Sequence, residues 1–135
     1  REFDAVFIHD AIDYMRTRDQ LRQALATAYV HCRPGGAALF VPDATAETFK
    51  PYAEHGGHDS GERGLRYLQW DIDLDPEDEM YTSYMIYITR DGNNVRQSPI
   101  EEHLIGLFPE QVWLDLLTQA GFTPLKLIQV SWLTS

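Results

Sequence analysis

The spacing of apolar positions changes several times along this chain, and each change marks a new element. Ala5-Val6-Phe7-Ile8 is a continuous apolar run, the pattern of a strand covered on both faces in a parallel sheet. His9 to Tyr14 follows as a loop at its C-terminal end. Thr17-Arg18-Asp19-Gln20 then matches a capping box, in which Thr17 caps a helix and Gln20 reaches back to the cap. Leu21, Ala24, Leu25, Ala28 and Cys32 recur at helical spacing and predict one apolar stripe. Arg33-Pro34-Gly35-Gly36 stops that helix, because proline cannot continue it and glycine allows a left-handed turn. Ala37-Ala38-Leu39-Phe40-Val41 is a second buried-strand run. Strand, helix and strand at this spacing make a βαβ unit with parallel strands. One such unit is not a stable sheet, so further strands are expected from elsewhere.

The middle of the chain reads differently. Glu54 to Gly64 is rich in Gly, His and charge and predicts a loop. Leu68, Trp70, Ile72 and Leu74 alternate with Gln69, Asp71, Asp73 and Asp75, which predicts a strand with one wet face. Pro76 to Glu79 is a turn, and Met80 to Thr89 alternates again. Tyr84, Ile86 and Ile88 share one face there, with Met85 and Tyr87 on the other. Arg90 to Asn94 is a turn signal, and a third strand is expected from Ile100 to Phe108. The pattern predicts an antiparallel meander over 64–108, inserted after the βαβ unit. Pro109 then fits a first helical position. Val112, Trp113, Leu116, Leu117 and Ala120 form the helix's buried side, and Gly121 closes it. Phe122 to Val130 reads as a last strand.

Composition narrows the function. The 135 residues are 44% hydrophobic with a formal net charge of -10. An acidic surface offers no counterion release on phosphates, so nucleic acid is not an expected partner. An anionic membrane surface is disfavoured likewise, and no apolar run approaches a transmembrane span. Cys32 is the single cysteine. It cannot form an internal disulfide, which fits a reducing, cytoplasmic address.

The order of motifs resembles the C-terminal half of class I S-adenosylmethionine-dependent methyltransferases. Phe3-Asp4-Ala5-Val6-Phe7-Ile8 matches that family's fourth strand. Pro34-Gly35-Gly36 matches the turn into its fifth strand, and Ala120-Gly121-Phe122 matches the close of its late helix. Tyr14, the antiparallel insertion and His103-Leu104-Ile105-Gly106-Leu107-Phe108 resemble the amino-sugar N-methyltransferases. The resemblance implies an α/β fold: a partial Rossmann-like sheet with the antiparallel meander inserted. Residues 1–135 would then be the C-terminal part of one domain, without the family's N-terminal Gly-x-Gly-x-Gly turn or its ribose-binding acidic residue. It implies S-adenosylmethionine as cofactor, a small-molecule N or O acceptor, and a homodimer formed through the insertion.

Ligands of an open α/β sheet lie beyond the C-terminal ends of its strands. The resemblance therefore implies His9, Asp10 and Ala11 near the cofactor, with Tyr14 and Trp70 toward the acceptor. Tyr14 could equally pack on the helix, and Asp13 reads as solvating its loop. His103 could act as a general base; the other reading is a strand histidine paired with Glu101 or Glu102. His55 to Asp59 lacks a third fixed ligand for a metal. Asp71, Asp73 and Asp75 lack the glycine and glutamate of a calcium loop. A non-catalytic dimerisation module built on the same fold remains the alternative to an enzyme.

Overall fold

A computed structural model describes residues 2–128. β1 (Phe3–His9) runs into a 3-10 turn at Ala11–Tyr14, then α1 (Arg18–His31) and β2 (Cys32–Val41). β1 and β2 pair in parallel, from Ala5 opposite Ala37 to His9 opposite Val41. This is the expected βαβ unit. Gln20 N–H donates to Thr17 Oγ1 at 3.1 Å, so Thr17 caps α1. The Gln20 side chain reaches back one residue further than expected, accepting from Arg16 N–H at 2.8 Å. Leu21, Leu25 and Ala28 are buried along the predicted stripe.

The Pro-Gly-Gly segment differs from expectation. β2 already begins at Cys32, the residue that ends α1, so Cys32 is not on the helix stripe. The register is broken between the Phe3–Cys32 and Ala5–Ala37 pairs, and the extra residues of β2 are absorbed in a bulge. Gly35 has φ +83°, and a Cβ on Gly36 would lie 2.5 Å from the Asp4 carbonyl oxygen. Glycine is required at both positions for different reasons: one for its backbone angle, the other for close approach.

The antiparallel part is larger than the sequence pattern suggests. β3 (Tyr52–Ser60), β4 (Arg63–Ile72), β5 (Met80–Asp91), β6 (Asn94–Gln97) and β7 (Glu101–Gly106) form a five-stranded sheet. The expected loop at Glu54 to Gly64 is a hairpin instead, paired from Tyr52 opposite Asp71 to Ser60 opposite Arg63. Its glycines serve close packing and not a loop. A Cβ on Gly56 would lie 2.8 Å from the Tyr67 ring, and one on Gly57 2.1 Å from the Leu65 carbonyl. Polar cross-strand pairs replace the usual apolar ones. Arg66 meets Asp59 through two bonds of 2.9 and 2.8 Å, and the Tyr67 hydroxyl donates to Glu54 at 2.9 Å. β5 is the central strand: β4 lies on one edge, and β6 and β7 share the other.

α2 (Glu110–Ala120) follows β7. Pro109 is its cap residue, not its first helical residue, and has no side-chain cap bond to offer. Glu47 substitutes, its Oε1 accepting Glu110 N–H at 2.9 Å. Gly121 ends the helix at φ +113°, as expected. After it, the described residues to 128 contain no strand, and the rest of the predicted strand at Phe122–Val130 lies outside them.

Among the described residues two apolar clusters hold these parts together. Ile12, Leu21, Leu25, Phe108, Val112, Trp113 and Leu116 form the main one, between the βαβ unit and α2. Tyr81, Ile105 and Leu107 form the second, with Ala44 and Phe49 packed on it. Each large side chain so buried contributes roughly 1.5–3 kcal/mol. β1 and β2 are less covered than their sequences imply. Among the described residues they pair only with each other, and Phe7 is 64% exposed.

Leu25→Ala is expected to cost about 2–5 kcal/mol, and Thr17→Ala about 1 kcal/mol. Urea denaturation of the full-length protein reads both. Similar costs for the two would mean that the α1 face does not carry the main core.

Candidate functional site

Strand alternation builds the walls of a cleft of about 190 Å³. β4 contributes Gln69 and Asp71, and β5 contributes Tyr81, Ser83 and Met85. From β7 come His103 and Ile105. The period of two in each case sends one residue in and the next out. Tyr14 and Asp43 close the cleft from the other side, after the C-terminal ends of β1 and β2. The cleft therefore sits where an α/β sheet holds its ligands, roofed by the antiparallel sheet.

The structure brings Tyr14 and His103 together. Their rings meet edge to face with centroids 6.3 Å apart. His103 Nε2 lies 3.2 Å from Glu101 Oε2, the partner one of its two readings predicts. A neutral His103 that donates Nε2–H to Glu101 has its lone pair on Nδ1. Tyr14 is 55% exposed.

His9, Asp10 and Ala11 lie at the end of β1, all exposed. His9 Nε2 and Asp10 Oδ1 are 3.2 Å apart. Asp10 has φ +53°, a costly backbone for a non-glycine residue and of a kind that clusters at active sites and ligand clamps. With Asp43 these side chains bring acceptor atoms within 4.8 Å of one another, all at exposed positions.

Trp70 is placed elsewhere. Gln69 and Asp71 face the cleft, so Trp70 between them faces away and is 51% exposed. It pairs across the sheet with Tyr84, as Leu68 does with Ile86. These residues share an outer apolar face with Ile88.

Asp13 also departs from expectation. It is 4% exposed rather than solvating a loop. Its Oδ1 accepts the Asp43 backbone N–H at 3.1 Å, and its buried Oδ2 has no partner. Burial raises its pKa to about 7; the Asp43 amide bond opposes this, and the Asp43 carboxylate, through its charge and its side-chain hydrogen bond, and the Asp10 charge reinforce it. Burial also raises the Tyr81 hydroxyl, with help from Asp43, Asp71 and Asp13. The only sequence hint of Asp13's role was its position, one residue after Ile12 in a turn between a strand and a capped helix. Asp43 and Asp71 gave no hint, since their function as cleft walls depends on tertiary placement.

No protein-family model matches the sequence, and no curated protein matches it significantly. Solved structures do match. The sugar N-methyltransferase KedS8 from Streptoalloteichus is 24% identical, with TM-score 0.80 over 90% of this chain and 48% of its own. Streptomyces venezuelae DesVI is 24% identical, with TM-score 0.77 over 90% of this chain and 51% of its own. CalS10 from Micromonospora echinaspora, an amino pentose methyltransferase solved with S-adenosylmethionine bound, is 20% identical. Its TM-score is 0.78, over 89% of this chain and 50% of its own. The chain thus spans about half the length of the structures it matches. The likeness establishes its fold as α/β and Rossmann-like, with an antiparallel sheet added.

The raised Asp13 carboxyl gives a pH signature. Its folded pKa of about 7 lies above its ordinary 3.8, so the folded state binds the extra proton between these values. Stability from this group is fully present below about pH 4 and is lost as pH rises toward 7, by on the order of 4 kcal/mol at most. Asp13→Asn keeps an amide acceptor and cannot ionise. Urea midpoints from pH 4.5 to 8 should fall for the wild type relative to this variant; parallel curves would contradict the buried acid.

Proposed function

We propose that this chain supplies the acceptor-side half of a methyltransferase that uses S-adenosylmethionine to methylate a nitrogen or oxygen of a small molecule. The observation that carries this reading is the cleft that joins Tyr14 to His103 beyond the ends of β1 and β2. The fold shared with KedS8 and CalS10 supports it. His9, Asp10 and Ala11 would border the cofactor, on the exposed turn with the positive-φ Asp10. These residues fit that role only as an edge, since they offer no enclosed cradle of their own.

When bound, S-adenosylmethionine supplies a methyl group already activated for displacement. What remains for the protein is alignment and one proton. The acceptor's nucleophilic atom needs a free lone pair as its bond to the methyl carbon forms and the methyl–sulfur bond breaks. His103 Nδ1 would take the proton that the acceptor loses, with Glu101 holding Nε2–H and stabilising the imidazolium that results. Tyr14, in edge contact with His103, would orient the acceptor against the imidazole. Asp43 and Asp71 give the cleft an acidic wall, which favours a polar or cationic acceptor over an apolar one.

The outer face of the antiparallel sheet supports a dimer as part of the same reading. Leu68, Trp70 and Ile88 are each exposed there, and paired apolar side chains on a sheet surface commonly meet a partner. The free Cys32 fits a cytoplasmic enzyme. Among the described residues no helix is long and apolar enough to cross a membrane. The competing reading is a dimerisation module without catalysis, and it also rests on this exposed face.

Calorimetric titration of S-adenosylhomocysteine into the full-length protein separates the two. Binding is expected; its absence would favour the module. In the binding protein, His103→Asn is expected to lower kcat about 100-fold or more with little change in product affinity. An unchanged kcat would remove His103 from the chemistry. Leu68→Asp with Trp70→Asp should convert a dimer into a monomer in sedimentation, and a persistent dimer would exclude this face.

A further inference from the structure

Asp13 is not itself on the cleft wall, but it holds residues that are. It belongs to the short turn after β1, next to Tyr14, and its Oδ1 takes the backbone N–H of Asp43, which follows β2. One buried side chain therefore ties together the two strand-end segments that supply Tyr14 and Asp43 to the cleft. Its second oxygen is enclosed without a partner. The titratable groups around it are Asp10 on its own turn, Asp43 after β2, Tyr81 on β5, and Tyr14 with His103 of β7 beyond it. The two charges that act on it, Asp43 and Asp10, are both acidic.

Three effects compete when Asp13 ionises. The Asp43 amide favours the anion through its hydrogen bond. Burial and the neighbouring carboxylates oppose it. The balance goes against the anion, so near neutral pH the charge favours moving Asp13 out to water over keeping it beneath the Asp43 segment, even though the amide bond itself is stronger to the anion.

We propose that Asp13 is a positioning residue: as a neutral acid it clamps the turns after β1 and β2 so that Tyr14 and Asp43 face the cleft together, and its ionisation loosens the clamp. Its effect on turnover rests on the methyl-transfer reading above. The clamp itself does not, and the tests separate the two.

The first test is carbon-13 NMR of the full-length protein labelled at aspartate carboxyls. The resonance that disappears in Asp13→Asn is expected to titrate near pH 7, and a midpoint near 4 would overturn the proposal. If Asp13→Asn does not fold, Asp43→Asn identifies the resonance, because removing the facing charge should move its midpoint down; no carboxyl whose midpoint moves would equally overturn it. The second test follows kcat/KM for methylation against pH. Asp13→Asn should match the wild type at pH 6 within about twofold and lose the wild-type decline toward pH 8. Asp13→Ala, which loses the Asp43 contact, should fall tenfold or more at every pH, chiefly through KM of the acceptor. If both variants keep the wild-type profile, the clamp is wrong. If no acceptor is methylated at all, the methyl-transfer reading fails while the carboxyl titration still decides the clamp.

Discussion

Everything else in this structure depends on the apolar contact between α1 and α2. Leu21 and Leu25 are fully enclosed between Ile12, Phe108, Val112, Trp113 and Leu116. Those residues come from three separate parts of the chain: the turn after β1, the exit from β7, and α2. Because Phe108 leads directly out of the antiparallel sheet, its burial fixes where β7 ends relative to the βαβ unit. Core interiors deform little, so this position carries through to the cleft. A cavity made at Leu25 would loosen both the fold and the spacing between Tyr14 and His103.

The antiparallel sheet then separates two tasks by parity alone. Gln69, Asp71, Ser83, Met85 and His103 face the cleft, while Leu68, Trp70 and Tyr84 face away. One polar and one apolar face result from a single set of strands. A slip of one residue in β4 would exchange them and place Trp70 in the cleft. The register is held against such a slip by long pairing on both sides of β4, from Ser60–Arg63 to Tyr52–Asp71 and from Arg63–Asp91 to Ile72–Thr82.

The sequence made the βαβ unit legible because its signals are local. Thr17 caps where a capping box predicts, and the Leu21-Leu25-Ala28 stripe is buried as spaced. The β3–β4 hairpin was not legible. Its strands draw their cross-strand support from Arg66–Asp59 and Tyr67–Glu54 pairs, which cannot be paired up before the register is known. Tyr14 and His103 could be named because they stand in stretches that resemble the amino-sugar N-methyltransferases, although nothing in the linear order indicated that their rings would meet. Trp70 was misplaced because period two says which residues share a face but not which face meets the cleft. Asp13 is buried although acidic residues in turns are usually solvated, and the groups that meet it, the Asp43 segment and Tyr81, are distant in sequence.

Glu79 explains how the two halves of the cleft keep their relative height. It precedes β5 and takes a left-handed backbone, φ +54°, unusual for a residue with a long side chain. Such a conformation costs of order 1–3 kcal/mol and persists only where its surroundings hold it. Two anchors do so here. The Glu79 carbonyl accepts Leu107 N–H at 2.7 Å, which ties it to the exit of β7. Its carboxylate receives two bonds from Arg18, at 2.8 and 2.7 Å, which tie it to the first turn of α1. An exposed ion pair alone contributes little to stability, but a two-pronged arginine–carboxylate contact fixes orientation. The start of β5, the end of β7 and the start of α1 therefore meet at one residue. Tyr14 lies just before that helix and His103 just before that strand exit, so the strained turn at Glu79 sets their separation from outside the cleft, without occupying any of it.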